Sequence, residues 1–194
     1  MNRIKILKEE VLSDEKFPLK SFTYEKPSLT GEMHEQQNEV YFRPDAVAVL
    51  LADPDKEVFL MTKQFRMPTY LNGNETGYLV ETCAGMIDEG EEPEDAAHRE
   101  VLEETGFKVK DLQKVAAIYT SAGGITELLH LFVANYSSSD EHEEGGGLEE
   151  EGEDIELVEL GFEEARAQLR AGTINDAKTL LLLLHYFSPD TSSK

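Results

Sequence analysis

The period of the apolar positions changes along the chain, and each change predicts a different kind of element. Before about residue 43, "RIKIL" and "FPLKSFTYE" alternate apolar and polar residues as half-buried strands do. The segment "EVYFRPDAVAVLLADPDKEVFLMTKQF" continues with strands, divided by turns that contain Asp and Pro. Within it, Ala46 to Ala52 is apolar at every position, the mark of a central strand covered on both faces. "GYLVETCAG" predicts a further strand, and "VAAIYT" and "ELLHLFVANY" two more, divided by the glycine-containing loop "SAGGIT". An acidic loop, Ser137 to Asp154, precedes a strand at "IELVEL" and helices near "FEEARAQLR" and "DAKTLLLLLHYF". The expected architecture is α/β, a mixed sheet with helices on its faces. A β-rich arm over residues 1–43 comes first, a main domain over 44–190 follows, and 191–194 form a frayed tail.

Between the strands, "GMIDEGEEPEDAAHREVLEETGF" has helical period. Pro93 suits a first turn, where its missing N–H costs nothing. Glu94 and Asp95 suit the positive end of the dipole, and Gly106 provides a stop after Thr105. The predicted helix runs from Pro93 to Thr105, with Ala97 and Val101 on the face that packs against the sheet. Glu100, Glu103 and Glu104 crowd the adjoining surface, and Arg99 stands four residues before Glu103, close enough to pair with it. Like charges at that spacing destabilise a helix by a few tenths of a kcal/mol. A solvated acidic face is the plainest explanation of such a run.

Composition narrows the partners. The 194 residues carry a formal net charge of −22, which argues against nucleic acid or an anionic membrane as a general partner. A small polyanion can still bind if divalent cations bridge it to the protein. The lone Cys83 has no internal disulfide partner, and the N-terminal segment has no apolar h-region, so a reducing cytoplasm is the expected compartment. The aliphatic run Leu180 to Leu184 is too short to span a bilayer.

The acids also belong to a longer pattern, G-x5-E-x7-R-E-U-x-E-E-x-G-U, where U is a bulky apolar residue. Gly85, Glu91, Arg99, Glu100, Val101, Glu103, Glu104, Gly106 and Phe107 fill every position. Residue frequencies alone would produce the fixed letters about once in ten million starting positions. The pattern resembles the Nudix hydrolase box. That resemblance implies an α/β/α sandwich and hydrolysis of a nucleoside diphosphate linked to another moiety. It also implies Mg2+, with Mn2+ as an alternative, since hard cations take oxygen ligands. Such ions would neutralise a diphosphate and sharpen a water into a nucleophile.

Beyond the box, "NGNETG", "ETCAGMID", "TSAGGITELLH", "GGGLEEEGEDIE" and "INDAKT" resemble the GDP-mannose pyrophosphatase branch of the family, a relative of the ADP-ribose pyrophosphatases. The likeness covers nearly the whole chain and implies a homodimer in which the arm packs across the partner. It implies that Ala84, Glu100, Glu104 and Glu153 hold metal. Glu103, Arg99, Glu91 and Glu153 would serve catalysis, with Glu103 as a further ligand, Arg99 and Glu91 fixing the glutamates, and Glu153 as general base. Substrate contacts would come from Glu39, Arg66, Met86, Glu127 and Lys178. Two departures stand out: Ala122 replaces a proline usual in the branch, and the acidic loop is slightly longer, so Glu151 could trade places with Glu153. Cleavage of GDP-mannose to GMP and mannose 1-phosphate is the first expectation. Hydrolysis of ADP-ribose or of several nucleotide sugars, and a nucleotide-sensing protein without turnover, remain as alternatives.

Other signals lead elsewhere. The five histidines lack zinc-ligand spacing, and Cys83 in a strand reads as a small core residue. The glycines Gly145 to Gly147 suggest a loop that closes with substrate.

Overall fold

A computed structural model describes residues 4–137, 142, 145–147 and 154–188 of the chain. The structure divides into two compact units, one of residues 1–45 with 119–128, the other of 46–118 with 129–194. The loop segment 119–128, which sequence pattern places in the main domain, thus clusters with the arm.

The first unit is a three-stranded antiparallel sheet of β1 (Lys5–Asp14), β2 (Pro18–Pro27) and β3 (Met33–Tyr41), in the order β1-β2-β3. β1 carries irregularities between Ile6 and Lys8 and between Val11 and Ser13, and its apolar residues Ile6, Leu7, Val11 and Leu12 are exposed. A single pleated strand would place alternate residues on one face; the two bulges shift that alternation.

The second unit is built on β4 (Ala46–Asp53), every residue of which is buried. It pairs in parallel with β9 (Leu128–Asn135) along most of its length. Its other edge is shared. β5 (Val58–Phe65) takes the end at Leu51–Asp53, while β7 (Cys83–Met86) takes Ala46–Val49. β5, having left β4, pairs onward with β6 (Tyr78–Glu81). The single strand expected at "GYLVETCAG" is therefore two strands broken at Thr82, because its halves serve different neighbours. β8 (Leu112–Tyr119) and β10 (Glu156–Gly161) complete a seven-stranded mixed sheet.

Alternation along β4 sends its side chains into two cores. Ala46, Ala48, Leu50 and Ala52 join Phe59, Met61, Leu131, Leu182 and Leu183 on one side. There α3 (Phe162–Ala171) and α4 (Ala177–Phe187) cover the sheet, and Phe59 meets the rings of Phe162, Tyr186 and Phe187 at 4.5–5.6 Å. Val47, Val49 and Leu51 join Cys83, Ala96, Ala97, Val101 and Phe132 on the other, under α2 (Pro93–Thr105). Two helical layers on one sheet make the α/β/α sandwich. α2 has the bounds its Pro and Gly signals predict, and Gly106 closes it in the left-handed conformation, φ 76°. A one-turn helix, α1 (Met67–Leu71), was invisible to periodicity because it buries no residue. Among the described residues no helix is long and apolar enough to cross a membrane.

Candidate active site

The face of α2 beside β7 holds the glutamates Glu100, Glu103 and Glu104. Glu100 and Glu104 are 8% and 2% exposed, unusual for charged groups unless something compensates them. Part of that compensation is Arg99. Its Nε and Nη2 donate to the two oxygens of Glu91 at 3.0 and 2.8 Å, a bidentate pair. Nη1 donates to Glu100 at 2.8 Å and to Glu103 at 3.1 Å, the latter being the i,i+4 pair expected from spacing. Nη2 also donates to the carbonyl of Met86 at 2.9 Å, which ties the helix to the end of β7. The hydrogen bonds from Arg99 hold the Glu91 carboxyl below its ordinary range, and those to Glu91 in turn raise the guanidinium. Glu91 additionally accepts from the Asp88 backbone N–H at 3.0 Å, closing the turn before the helix.

Glu104 reaches back to the sheet, where its Oε2 accepts from the Ala84 N–H at 3.2 Å. Gly85 explains how the helix comes so near. A Cβ there would stand 1.9–2.1 Å from the Glu100 carboxyl atoms, so only glycine leaves the carboxylate its place. The result is a group of oxygen atoms, three glutamates on a helix beside the Met86 carbonyl of a strand, although among the described residues no three acidic side chains already converge as ligands of one ion. All are hard donors of the kind a divalent cation of the Mg2+ class takes. Arg99 is shared among three of these carboxylates, Glu91, Glu100 and Glu103.

The C-terminal end of α2 is finished by the acidic loop. The N–H groups of Gly146 and Gly147 donate to the carbonyls of Glu104 and Glu103 at 2.8 and 3.2 Å. A Cβ on Gly145 would lie 2.5 Å from the backbone carbon of Thr105. Gly145 is thus needed for close docking on the helix, while Gly146 and Gly147 adopt positive φ, 121° and 81°, a conformation that favours glycine. Glu151 and Glu153 lie outside the described residues.

A second cluster gathers two of the expected substrate contacts. Arg66, just after β5, donates from Nε to Glu81 at 2.6 Å, and Lys178, in the first turn of α4, pairs with the other oxygen of the same carboxylate. Lys178 also donates to Asp176 at 3.0 Å. Asp176 caps α4 by accepting from the Thr179 N–H and hydroxyl at 2.9 and 2.7 Å. Burial would raise the Asp176 carboxyl, but the Lys178 charge and the Thr179 bonds outweigh it and hold it low. Glu81 and Asp176 escaped the sequence reading. Their signals were a lone charge within the strand "YLVE" and a cap-type aspartate before "AKT".

The remaining expected contacts belong to the first unit. Glu127 pairs with Arg43, 3.2 Å from its Nε, and Glu39 lies exposed on β3 opposite Ser21.

The chain belongs to the NUDIX domain family, whose domain matches residues 42–183. Its relatives include proteins named GDP-mannose pyrophosphatase. The one from Cronobacter sakazakii is 43% identical over 182 residues, covering 94% of each chain. The Citrobacter koseri protein is 42% identical over 186 residues, 96% of each chain, and one from Escherichia coli 42% over 181, 93% of each. Among solved structures, one titled as an ADP compounds hydrolase superposes with a TM-score of 0.67 at 21% identity. It covers 95% of this chain and 92% of its own, and shows the shared fold.

Proposed function

We propose that this protein hydrolyses the diphosphate of a nucleotide sugar, GDP-mannose first among them, releasing GMP and mannose 1-phosphate. Identity of 42–43% over almost the full length with proteins of that name carries the reading. The complete box, folded into one group of oxygen donors, supports the chemistry.

In this reading Glu100, Glu104, Glu103 and the backbone at Ala84 hold Mg2+ or Mn2+, with Glu153 from the loop as a further ligand and base. Bound there, the cation supplies charge neutralisation at the diphosphate and a more acidic water. Arg99 and Glu91 act through the glutamates, fixing their carboxylates by the bonds measured above. Arg66 and Lys178 take phosphate oxygens, a task suited to a guanidinium fork and an ammonium. Met86, Glu39 and Glu127 complete the substrate contacts. A reducing cytoplasm is the proposed compartment, in keeping with the single, buried Cys83.

Incubation with Mg2+ and equal concentrations of GDP-mannose and ADP-ribose tests the assignment through the ratio of kcat/KM values. Preference for GDP-mannose, with GMP and mannose 1-phosphate as products, is expected. Preference for ADP-ribose, or no turnover with any divalent cation, would overturn it.

We also propose a homodimer built through the arm. The exposed apolar residues of β1, Ile6, Leu7, Val11 and Leu12, favour cover by a second copy. Light scattering should give twice the chain mass, and Val11→Glu should shift it toward the monomer. A wild-type monomer at micromolar concentration excludes the dimer.

A further inference from the structure

We infer that Glu81 is a positioning residue, holding Arg66 and Lys178 together as one cationic clamp for the substrate's diphosphate. The inference rests on the substrate contacts proposed above and adds to them a residue that neither motif nor spacing marks.

The geometry is specific. Glu81 is 2% exposed, and each of its carboxylate oxygens takes a different cation, Arg66 Nε on one and Lys178 Nζ on the other. Those cations come from distant parts of the chain, one after β5 and one at the start of α4, and Glu81 on β6 is their common point. The scaffold around it is tied down as well. The Thr62 hydroxyl donates to the Glu81 carbonyl at 3.2 Å, and the Thr82 N–H donates to the Thr179 hydroxyl at 2.9 Å. The second of these bonds fixes the turn of α4 that carries Lys178.

Donor counting shows that the cations are held without being used up. A guanidinium has five N–H groups, and Glu81 takes only the one on Nε. An ammonium has three, of which Glu81 and Asp176 take two. Four donors on Arg66 and one on Lys178 are left for phosphate oxygens. Two cations near one point repel each other, and a mostly buried ammonium needs a counter-charge to stay where it is. Glu81 supplies both requirements at once. Its place in the chain is suitable too, since it stands three residues before Ala84, whose N–H holds Glu104. Three residues span at most roughly 11 Å of backbone, so the strand residue that binds the clamp and the one that meets Glu104 lie close along the chain.

A plain structural ion-pair network would look similar at rest, and a double-mutant cycle separates the two. The probe is imidodiphosphate with Mg2+, a diphosphate that resists hydrolysis, bound to the full-length protein by calorimetry. Glu81→Gln should weaken its binding about tenfold and raise KM for GDP-mannose by a similar factor. In a protein already carrying Arg66→Ala and Lys178→Ala, the same change should alter affinity less than twofold. An equal loss in both backgrounds would show that Glu81 acts through the fold, and a gain in affinity would show that it competes with phosphate. Either result overturns the inference. Should Glu81→Gln not fold, Glu81→Asp keeps the charge on a shorter stem, and the same cycle is read with it. If the wild type binds imidodiphosphate yet hydrolyses no nucleotide sugar, the substrate assignment fails while the cycle still decides the role of Glu81.

Discussion

Among the described residues of the sandwich, two clusters of part-buried charge are balanced in opposite ways. Around Arg99, one guanidinium serves Glu91, Glu100 and Glu103, with Glu104 beside them on a backbone N–H. Around Glu81, two cations meet two carboxylates, and the charges cancel. A self-neutralising cluster can be satisfied by the protein alone. A cluster with more carboxylates than cations gains more from an added positive charge, above all at Glu100 and Glu104, its most buried members. The difference teaches which cluster should respond to divalent cations and which should not.

Glu104→Gln breaks that comparison most severely. Removing one charge while keeping the side chain's shape should lower kcat about 10³-fold, or ~4 kcal/mol of barrier. The same variant should lose the stabilisation that Mg2+ gives the wild type, about 2.7 kcal/mol at a hundred times Kd. Thermal melts with and without EDTA read this directly, and Glu81→Gln should keep its Mg2+ response. A cation response lost in Glu81→Gln and kept in Glu104→Gln would reverse the assignment of the clusters.

Gly85→Ala should have a smaller effect of the same kind. The new methyl falls where the Glu100 carboxylate now sits, and that carboxylate is the part able to move. The fold should therefore survive, while metal affinity drops roughly 10- to 100-fold, as loss of support to a ligand typically does. Calorimetric titration with Mn2+ measures it. Unchanged affinity would mean that the glycine does not set the ligand's position.

Acid titration sharpens the comparison without touching a ligand. Glu91 is held below its ordinary value of 4.5 by hydrogen bonds from Arg99. A depressed carboxyl contributes stability that is present above the unfolded value and lost as pH falls through the folded one. The stability gap between wild type and Arg99→Met, read by urea unfolding in EDTA, should thus be full near neutrality. It should narrow as pH falls below 4.5. A gap that stays constant across that window would show that the pair is not the origin of the shift.

How much of this was legible in the sequence depends on whether the signal was local. The bounds of α2 were readable because Pro93 and Gly106 act on their own backbone. The burial of β4 was readable because Ala46 to Ala52 are all apolar. The break at Thr82 was not, since it depends on which strand each half pairs with, and pairing is a non-local choice. The site divides in the same way. Arg99 and its glutamates share a helix and follow its period. Glu81, Arg66 and Lys178 come from three elements, and no local pattern could show that one carboxylate joins the two cations. The glycines at 145–147 carried a further signal that is equally non-local: Gly145 leaves room for the backbone at the end of α2, a neighbour that its own stretch of sequence does not name.

The smallest effect belongs to an ion pair with the same chemistry as Lys178 and Glu81 but the opposite burial. Lys63 donates to Glu156 across β5 and β10 at 2.6 Å, with side chains 37% and 64% exposed. That hydrogen bond raises the ammonium, yet water surrounds both partners, and screening and side-chain entropy offset the attraction. Lys63→Ala should leave the melting temperature and the Mg2+ response of the protein within experimental error. In the Lys178 pair the side chains are 13% and 3% exposed, and there the loss of Lys178 leaves two buried carboxylates, Glu81 and Asp176, with Arg66 on Glu81 as the one remaining cation of the cluster. Measured side by side, the two lysines separate the effect of burial from that of pairing. If Lys63→Ala proved as damaging as Lys178→Ala, burial would not be what distinguishes them, and the contrast drawn between the charge clusters would lose its physical basis.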